Sequence, residues 1–298
     1  MNWFTFLPFG VMLALSVTLG RVALPLHPLW SARLLSTTGV MTVVAAFGTG
    51  VFVAVNYGAT LAPDAAAHVP EWALFGDDRP VPAWVGIPAI VLSAAGLLVA
   101  ARLAVRWVID LRAAQADARR PLDTEVPIAV AVPGRRGGVL LSRGLLSRLT
   151  ARELQVVFEH ERSHLRHRHH RYLASGELAA TVLPPLRALN DRLRLSVERW
   201  ADEDAAEAVG DRRLVARTIA KVALAQCPDG RHGPAVPFAW SGVVERVEAL
   251  LATPPAKNTV SGPLLFVGHG LVTGSLTALT LQLDRAIAST LFPTLIIR

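Results

Sequence analysis

The sequence predicts a mainly α membrane protein: about four transmembrane helices, with one cytoplasmic α+β domain that carries a small β-hairpin set between the third helix and the fourth. Three observations lead there. The 298 residues are 52% hydrophobic and only 18% charged, with a mean hydropathy of +0.41; a soluble domain of this length seldom combines so much apolar content with so little charge. Four stretches reach the roughly 20 apolar residues that a helix needs to cross a bilayer. Between the third and fourth stretches the chain becomes polar and rich in arginine, with short β-branched runs and then helical periodicity.

The expected spans run from about Trp3 to Leu24, Leu34 to Tyr57, Ala83 to Val105 and Val260 to Leu283. The first lacks a basic leader and a small-residue cleavage site, so it reads as a helix rather than a signal peptide. Trp3, Tyr57 and Trp84 fall at one interface and Trp30 and Trp107 at the other. The loop from Pro63 to Pro82 carries Asp64, Glu71, Asp77 and Asp78 against Arg79 alone. Arg21 and Arg33 flank the loop after the first span, and Arg102, Arg106, Arg112, Arg119 and Arg120 lie at or beyond the end of the third. This Lys/Arg asymmetry places the N-terminus and acidic loop outside and residues 107–258 inside a plasma membrane. Three parts follow: residues 1–106 with three spans, 107–258 as the cytoplasmic domain, and 259–298 with the fourth span and a tail.

A net charge of +7 and a pI near 10.8 raise the question of nucleic acid. The basic residues are interleaved with carboxylates and lack the aromatic pattern that stacks bases, so no direct nucleic-acid binding is expected. The single cysteine, Cys227, cannot close an intramolecular disulfide. Ala113–Arg120 is expected to leave the membrane as a helical stalk. Val126–Val132 and Val139–Ser142, flanking Pro133-Gly134-Arg135-Arg136-Gly137-Gly138, read as a hairpin. Tyr172–Leu189 is apolar but interrupted by Glu177 and Pro184-Pro185, and reads as a core or interfacial helix.

Thr150 and Glu153 are spaced as a capping box opening a helix, with Leu154, Val157, Phe158 and Leu165 on its apolar face. On that helix lies His160-Glu161-Arg162-Ser163-His164. Positions i and i+4 share one helical face, so both imidazoles reach one metal ion, while Glu161 beside them can take a proton from water. Zinc hydrolases use three protein ligands and leave a fourth position open. Glu198, in Glu198-Arg-Trp-Ala201-Asp202-Glu-Asp-Ala205, can complete a His-His-Glu set. Asp202, four residues on, can accept a hydrogen bond from the far nitrogen of a ligand histidine. Read alone, each pattern also describes a solvated polar helix face; together they point to a zincin-like site for Zn2+.

The two motifs resemble those of the gluzincin membrane peptidases, whose second motif E-x-x-A-D-x-x-A is matched by Glu198, Ala201, Asp202 and Ala205. Three spans before the zinc domain and one after are similar to the antirepressor plan typified by BlaR and MecR. Gly138-Val-Leu-Leu-Ser-Arg-Gly144 and Arg168-His169-His170 also resemble that family. The alternative branch is the HtpX-type quality-control protease, with further spans between the zinc motifs. The β-lactam sensors carry an outer penicillin-binding domain after the last span. With about fifteen residues following its fourth span, this chain is expected to lack one, and β-lactam recognition is not carried over.

The resemblance implies a zinc metalloendopeptidase acting on cytoplasmic proteins, with a winged-helix transcriptional repressor as one candidate substrate. A non-catalytic membrane receptor or scaffold and a histidine-rich metal-binding or transport protein are the competing classes; the intact Glu161 argues against both. Several polar residues stay open. His167 is a possible fourth ligand or a surface residue, and His169 and His170 are expected to touch headgroups or a neighbouring helix. His269 either lines a polar groove, acts in signalling or bonds another helix. Arg212, Arg213 and Arg217 are alternatives for steadying an oxyanion.

Overall fold

The computed structural model describes residues 3–62, 81–117, 123–134, 138–226 and 236–272. A 3-10 turn, Trp3–Phe6, leads into α1 (Leu7–Arg21), and α2 (Pro28–Leu61) and α3 (Ala83–Asp117) follow. Strands β1 (Ala129–Val132) and β2 (Gly138–Leu141) precede α4 (Arg143–Arg148), α5 (Ala151–Arg166) and α6 (His169–Val182). A 3-10 turn at Pro184–Leu186 then opens α7 (Arg187–Val209), before α8 (Arg212–Gln226), α9 (Val236–Leu251) and the short apolar helix α10 (Ser261–Val272).

Among the described residues, two helices are long and apolar enough to cross a membrane, α2 and α3, rather than four. α1 has 15 residues, about 22 Å at 1.5 Å per residue, against a hydrocarbon core of about 30 Å. It stops at Arg21, short of the expected Leu24, because the chain must turn before Pro25 and Pro28, which cannot continue a helix. Pro28 instead opens α2, where its missing N–H costs nothing, and the His27 ring nitrogen Nδ1 accepts from the Leu29 N–H at 3.3 Å. α3 runs through the expected end at Val105 to Asp117 without a separate stalk, since residues 106–117 contain no helix breaker. Of the fourth expected span, α10 covers the first part, and residues 273–283 lie outside the described residues. So do the acidic loop, residues 63–80, and the hairpin tip, residues 135–137.

The flank of α3 is apolar and exposed, with Ile87, Val91, Leu92, Leu97 and Leu98 all uncovered by the rest of the chain. Contiguous apolar surface on this scale is seldom left to water. Trp107, assigned to an interfacial belt from the sequence, donates its indole N–H to Glu177 Oε2 at 3.3 Å and so ties α3 to α6.

The apolar Tyr172–Leu189 stretch is the heart of the assembly. α6 and α7 form a hairpin whose tip, at Pro184–Leu186, packs with Leu186 fully buried against Val43 of α2 and Ala179 of α6. Val43 lies 15 residues into α2, about 22 Å along its axis. Lower down, Leu189, Leu193, Val197 and Trp200 of α7 bury against Leu19, Ala32 and Leu35. The approach is close enough that a Cβ on Gly20 of α1 would stand 2.7 Å from the Leu189 backbone nitrogen.

The domain's remaining elements are fixed locally. β1 and β2 pair antiparallel, Ala129 opposite Leu141 and Val132 opposite Gly138. The buried Ser142 hydroxyl donates to the Val126 carbonyl at 2.7 Å and accepts from the Ile128 N–H at 2.9 Å, closing the hairpin onto α4. The Thr150–Glu153 capping box is formed, and Lys221 of α8 donates to the same Glu153 carboxylate at 2.8 Å.

The glycine contact gives a direct test. On α1, Gly10 has nothing within 4 Å of an added Cβ, whereas Gly20 meets backbone. Gly10→Ala should be neutral or stabilising by up to about 1 kcal/mol through helix propensity. Gly20→Ala should destabilise by about 1–3 kcal/mol through overpacking. Thermal unfolding of the detergent-solubilised variants reads the difference; equal midpoints would refute the close α1–α7 approach.

Candidate metal centre

α5 and α7 lie side by side, and their facing residues make the site. His160 and His164, one turn apart on α5, bring their Nε2 atoms to 3.2 Å. Glu198 of α7 presents Oε2 3.5 Å from His160 Nε2 and Oε1 3.6 Å from His164 Nε2. One donor atom from each of the three lies within 4.8 Å of the others. Donors held about 2.0–2.1 Å from a tetrahedral zinc ion stand about 3.3 Å apart. Two imidazoles and one carboxylate at these separations fit zinc in both chemistry and size.

Asp202, one turn beyond Glu198, is buried, and its Oδ1 lies 3.0 Å from His160 Nδ1. That contact is at ion-pair distance without meeting strict hydrogen-bond geometry. Glu161 sits beside the pair, with the Ala131 backbone of β1 next to its carboxylate.

Sequence reasoning missed Arg246. This α9 residue donates from Nε and from one terminal nitrogen to the two oxygens of Asp202, both at 2.8 Å, and its other terminal nitrogen is 3.1 Å from Glu198 Oε2. The signal was present: Val243, Arg246, Val247 and Leu250 fall on one helical face, so an arginine occupies the apolar side of α9. The arginines singled out from the sequence stand elsewhere. Arg212 pairs with Glu203 and donates to the carbonyls of Ala249 and Leu250, locking α8 and α7 to α9, while Arg213 and Arg217 are exposed.

Electrostatics follow from this packing. At His160 burial disfavours the charged ring, but Asp202 and Glu198 outweigh it and push the imidazole up to about 10. At His164 burial prevails and pulls it down to about 4. Burial also works against a charged Glu198, yet His160 and Arg246 hold its carboxylate well below the usual range. For Glu161 burial wins, and its carboxyl is raised. Neighbouring carboxylates are thus driven apart, one kept ionised and one made a readier proton carrier.

Of the other histidines, His167 does not join the three donors: its Nε2 is 2.9 Å from Asp204 Oδ2, which also accepts from Ser163 at 2.7 Å. His169 is fully buried against His164 and Trp200. His170 is exposed. His269 of α10 lies 3.4 Å from the Thr38 hydroxyl of α2, a helix–helix contact.

A half-buried HExxH pair faced by a glutamate from a second helix is a group that could hold a metal ion. Residues 122–191 match peptidase family M48, a stretch that runs from the hairpin through His160–His164 and α6 and ends before Glu198. The match supports a zinc metallopeptidase family for this domain. No curated protein and no solved structure matches the chain.

Removing Arg246 should expose its role. Arg246→Leu leaves Asp202 buried without its cation, at a cost of about 3–5 kcal/mol. Arg246→Lys should recover only part, because an ammonium cannot pair bidentately. Denaturant unfolding measures both; a loss below about 1 kcal/mol in Arg246→Leu would show that Asp202 does not depend on it.

Proposed function

We propose that the chain is an integral-membrane zinc metalloendopeptidase that cleaves cytoplasmic proteins. The observation that carries this is the convergence of His160, His164 and Glu198 on one point, with the raised carboxyl of Glu161 beside it. When bound there, zinc supplies Lewis acidity toward the scissile carbonyl and toward water. His160, His164 and Glu198 would hold the ion, and Asp202 would orient His160. Glu161 takes the proton of the attacking water and passes it to the leaving amine as the C–N bond breaks. Burial, which raises Glu161, suits it to both halves of that transfer. Beside the donors lies a cavity of about 210 Å³ lined by Val156, Val157, Val215, Ile219, Val222 and Val243, suited to an apolar substrate side chain. β1 runs along the same site and can align an extended peptide as an added strand.

The exposed apolar flank of α3 and the length of α2 support membrane anchoring, and the Lys/Arg asymmetry supports an inward-facing site. On that reading α2 and α3 cross the bilayer, and α1 with the turn before it and the segment beginning at α10 supply the other two spans. The resemblance to antirepressors favours a DNA-binding repressor, of winged-helix type, as substrate. The α6–α7 hairpin packed along α2 favours the second reading, quality control of membrane proteins, because it sets the site close to the bilayer.

Three outcomes are expected. His160→Ala, His164→Ala and Glu198→Ala each lose zinc, whereas Glu161→Gln keeps it and loses hydrolysis; full zinc content in Glu198→Ala would remove Glu198 from the ligands. With Cys227 replaced, a cysteine at Ala65 labels with an impermeant reagent on intact cells and one at Ala116 does not; the reverse pattern inverts the topology. Comparing new N-termini in cells with wild type and Glu161→Gln separates the substrates: one dominant cut in a DNA-binding protein supports the repressor, and many cuts across membrane proteins support quality control.

A further inference from the structure

We infer that His169 is a positioning residue: it selects the tautomer of His164 and so keeps the His164 Nε2 lone pair free for the metal. The inference rests on the metallopeptidase reading above. It starts from a contact between two imidazoles, His169 Nδ1 to His164 Nδ1, at 3.0 Å. Between two neutral rings at that distance, one nitrogen carries the hydrogen and the other the lone pair. If His169 donates, His164 has its hydrogen on Nε2. That is the atom 3.2 Å from His160 Nε2 and 3.6 Å from Glu198 Oε1, and a protonated Nε2 cannot bind a metal. If His164 donates from Nδ1, its Nε2 points a lone pair at the site. Only the second arrangement is compatible with the ligand set.

The second arrangement places the His169 hydrogen on Nε2. This atom is buried and has no hydrogen-bond partner, enclosed by the rings of His167, Tyr172 and Trp200. A buried polar group without a partner costs about 1–3 kcal/mol, so a histidine here is a poor choice for packing alone. The chain also strains its backbone to bring the ring inward. Arg168, between α5 and α6, adopts the left-handed region at φ 54° and ψ 45°, which costs a non-glycine residue about 1–2 kcal/mol. The turn is held by His167 and Ser163, which share Asp204. His169 thus stands to His164 as Asp202 stands to His160, with the partner supplied by the next helix.

The test uses the full-length chain in detergent, with Zn2+ as the probe in competition against a chelator. Asparagine at position 169 places a carbonyl oxygen near the Nδ1 position and can accept from His164; leucine fills similar space and accepts nothing. His169→Leu should bind zinc about 10- to 100-fold more weakly, as expected when the partner of a metal-bound histidine is removed. His169→Asn should recover most of that loss. Equal weakening in both variants, or none in His169→Leu, overturns the inference. If His169→Leu does not fold, the wild type decides: 15N-histidine spectra of the zinc-loaded protein should show hydrogen on His164 Nδ1 and His169 Nε2, and hydrogen on His169 Nδ1 overturns the assignment. A wild-type chain that binds no zinc overturns the metal reading itself, and is recognised before any variant is compared.

Discussion

Helix α7 carries two duties on neighbouring faces, and neither can shift without the other. Leu189, Leu193, Val197 and Trp200 fill the seam with α1 and the start of α2. Glu198 and Asp202, displaced by one residue from that stripe, face α5 and its histidines. Successive residues of an α-helix are about 100° apart. Inserting one residue before Glu198 would therefore swing both carboxylates away from His160, unless the whole apolar stripe were withdrawn from the seam. The close contact at Gly20 and the buried Leu186 at the tip fix the helix along its axis as well. The placing of Glu198 is thus set by apolar packing that reaches back along α7 to Leu189 and Leu186.

Two carboxylates pointing into one buried space repel each other, and this is the second constraint on the fold. Left alone, desolvation would protonate one or both. Arg246 prevents this by bonding both oxygens of Asp202 while touching Glu198. Its position depends in turn on Arg212, which fastens α8 and α7 to the last turn of α9 through Glu203 and the carbonyls of Ala249 and Leu250. The centre therefore draws on α7, α8 and α9, although of these only α7 carries one of the three candidate donors.

Local spacing made some of this legible and left the rest hidden. The capping box, the HExxH pair and the Glu198–Asp202 pair all depend on contacts within one or two turns, where sequence distance equals spatial distance. The hairpin announced itself through β-branched runs around a Pro/Gly turn. Arg246 lies 44 residues from Asp202 in sequence, and only its place on the apolar face of α9 marked it. His169 was obscured by a different effect: the left-handed Arg168 breaks the periodicity between α5 and α6. A helical wheel extended across that break gives the wrong face, so a buried ring reads as part of a basic surface cluster. Hydropathy alone also overstated α1, because it counts apolar residues beyond the point where Pro25 and Pro28 force a turn.

The three candidate donors arrive from two differently anchored groups of helices. α5 is held by its capping box, by Lys221 and by the β-hairpin, all within the polar domain. α7 is held by the helices that contain the long apolar stretches. An ion bound by His160, His164 and Glu198 would join those two groups at one point. Its binding free energy would then add to the stability of their mutual packing, as it does wherever a metal holds native elements together. The converse follows from the same linkage: whatever loosens α7 in its seam with α1 and α2 would lower the affinity for such an ion by the same coupling energy. The apolar seam that seats α7 would therefore be part of such a centre in energetic terms.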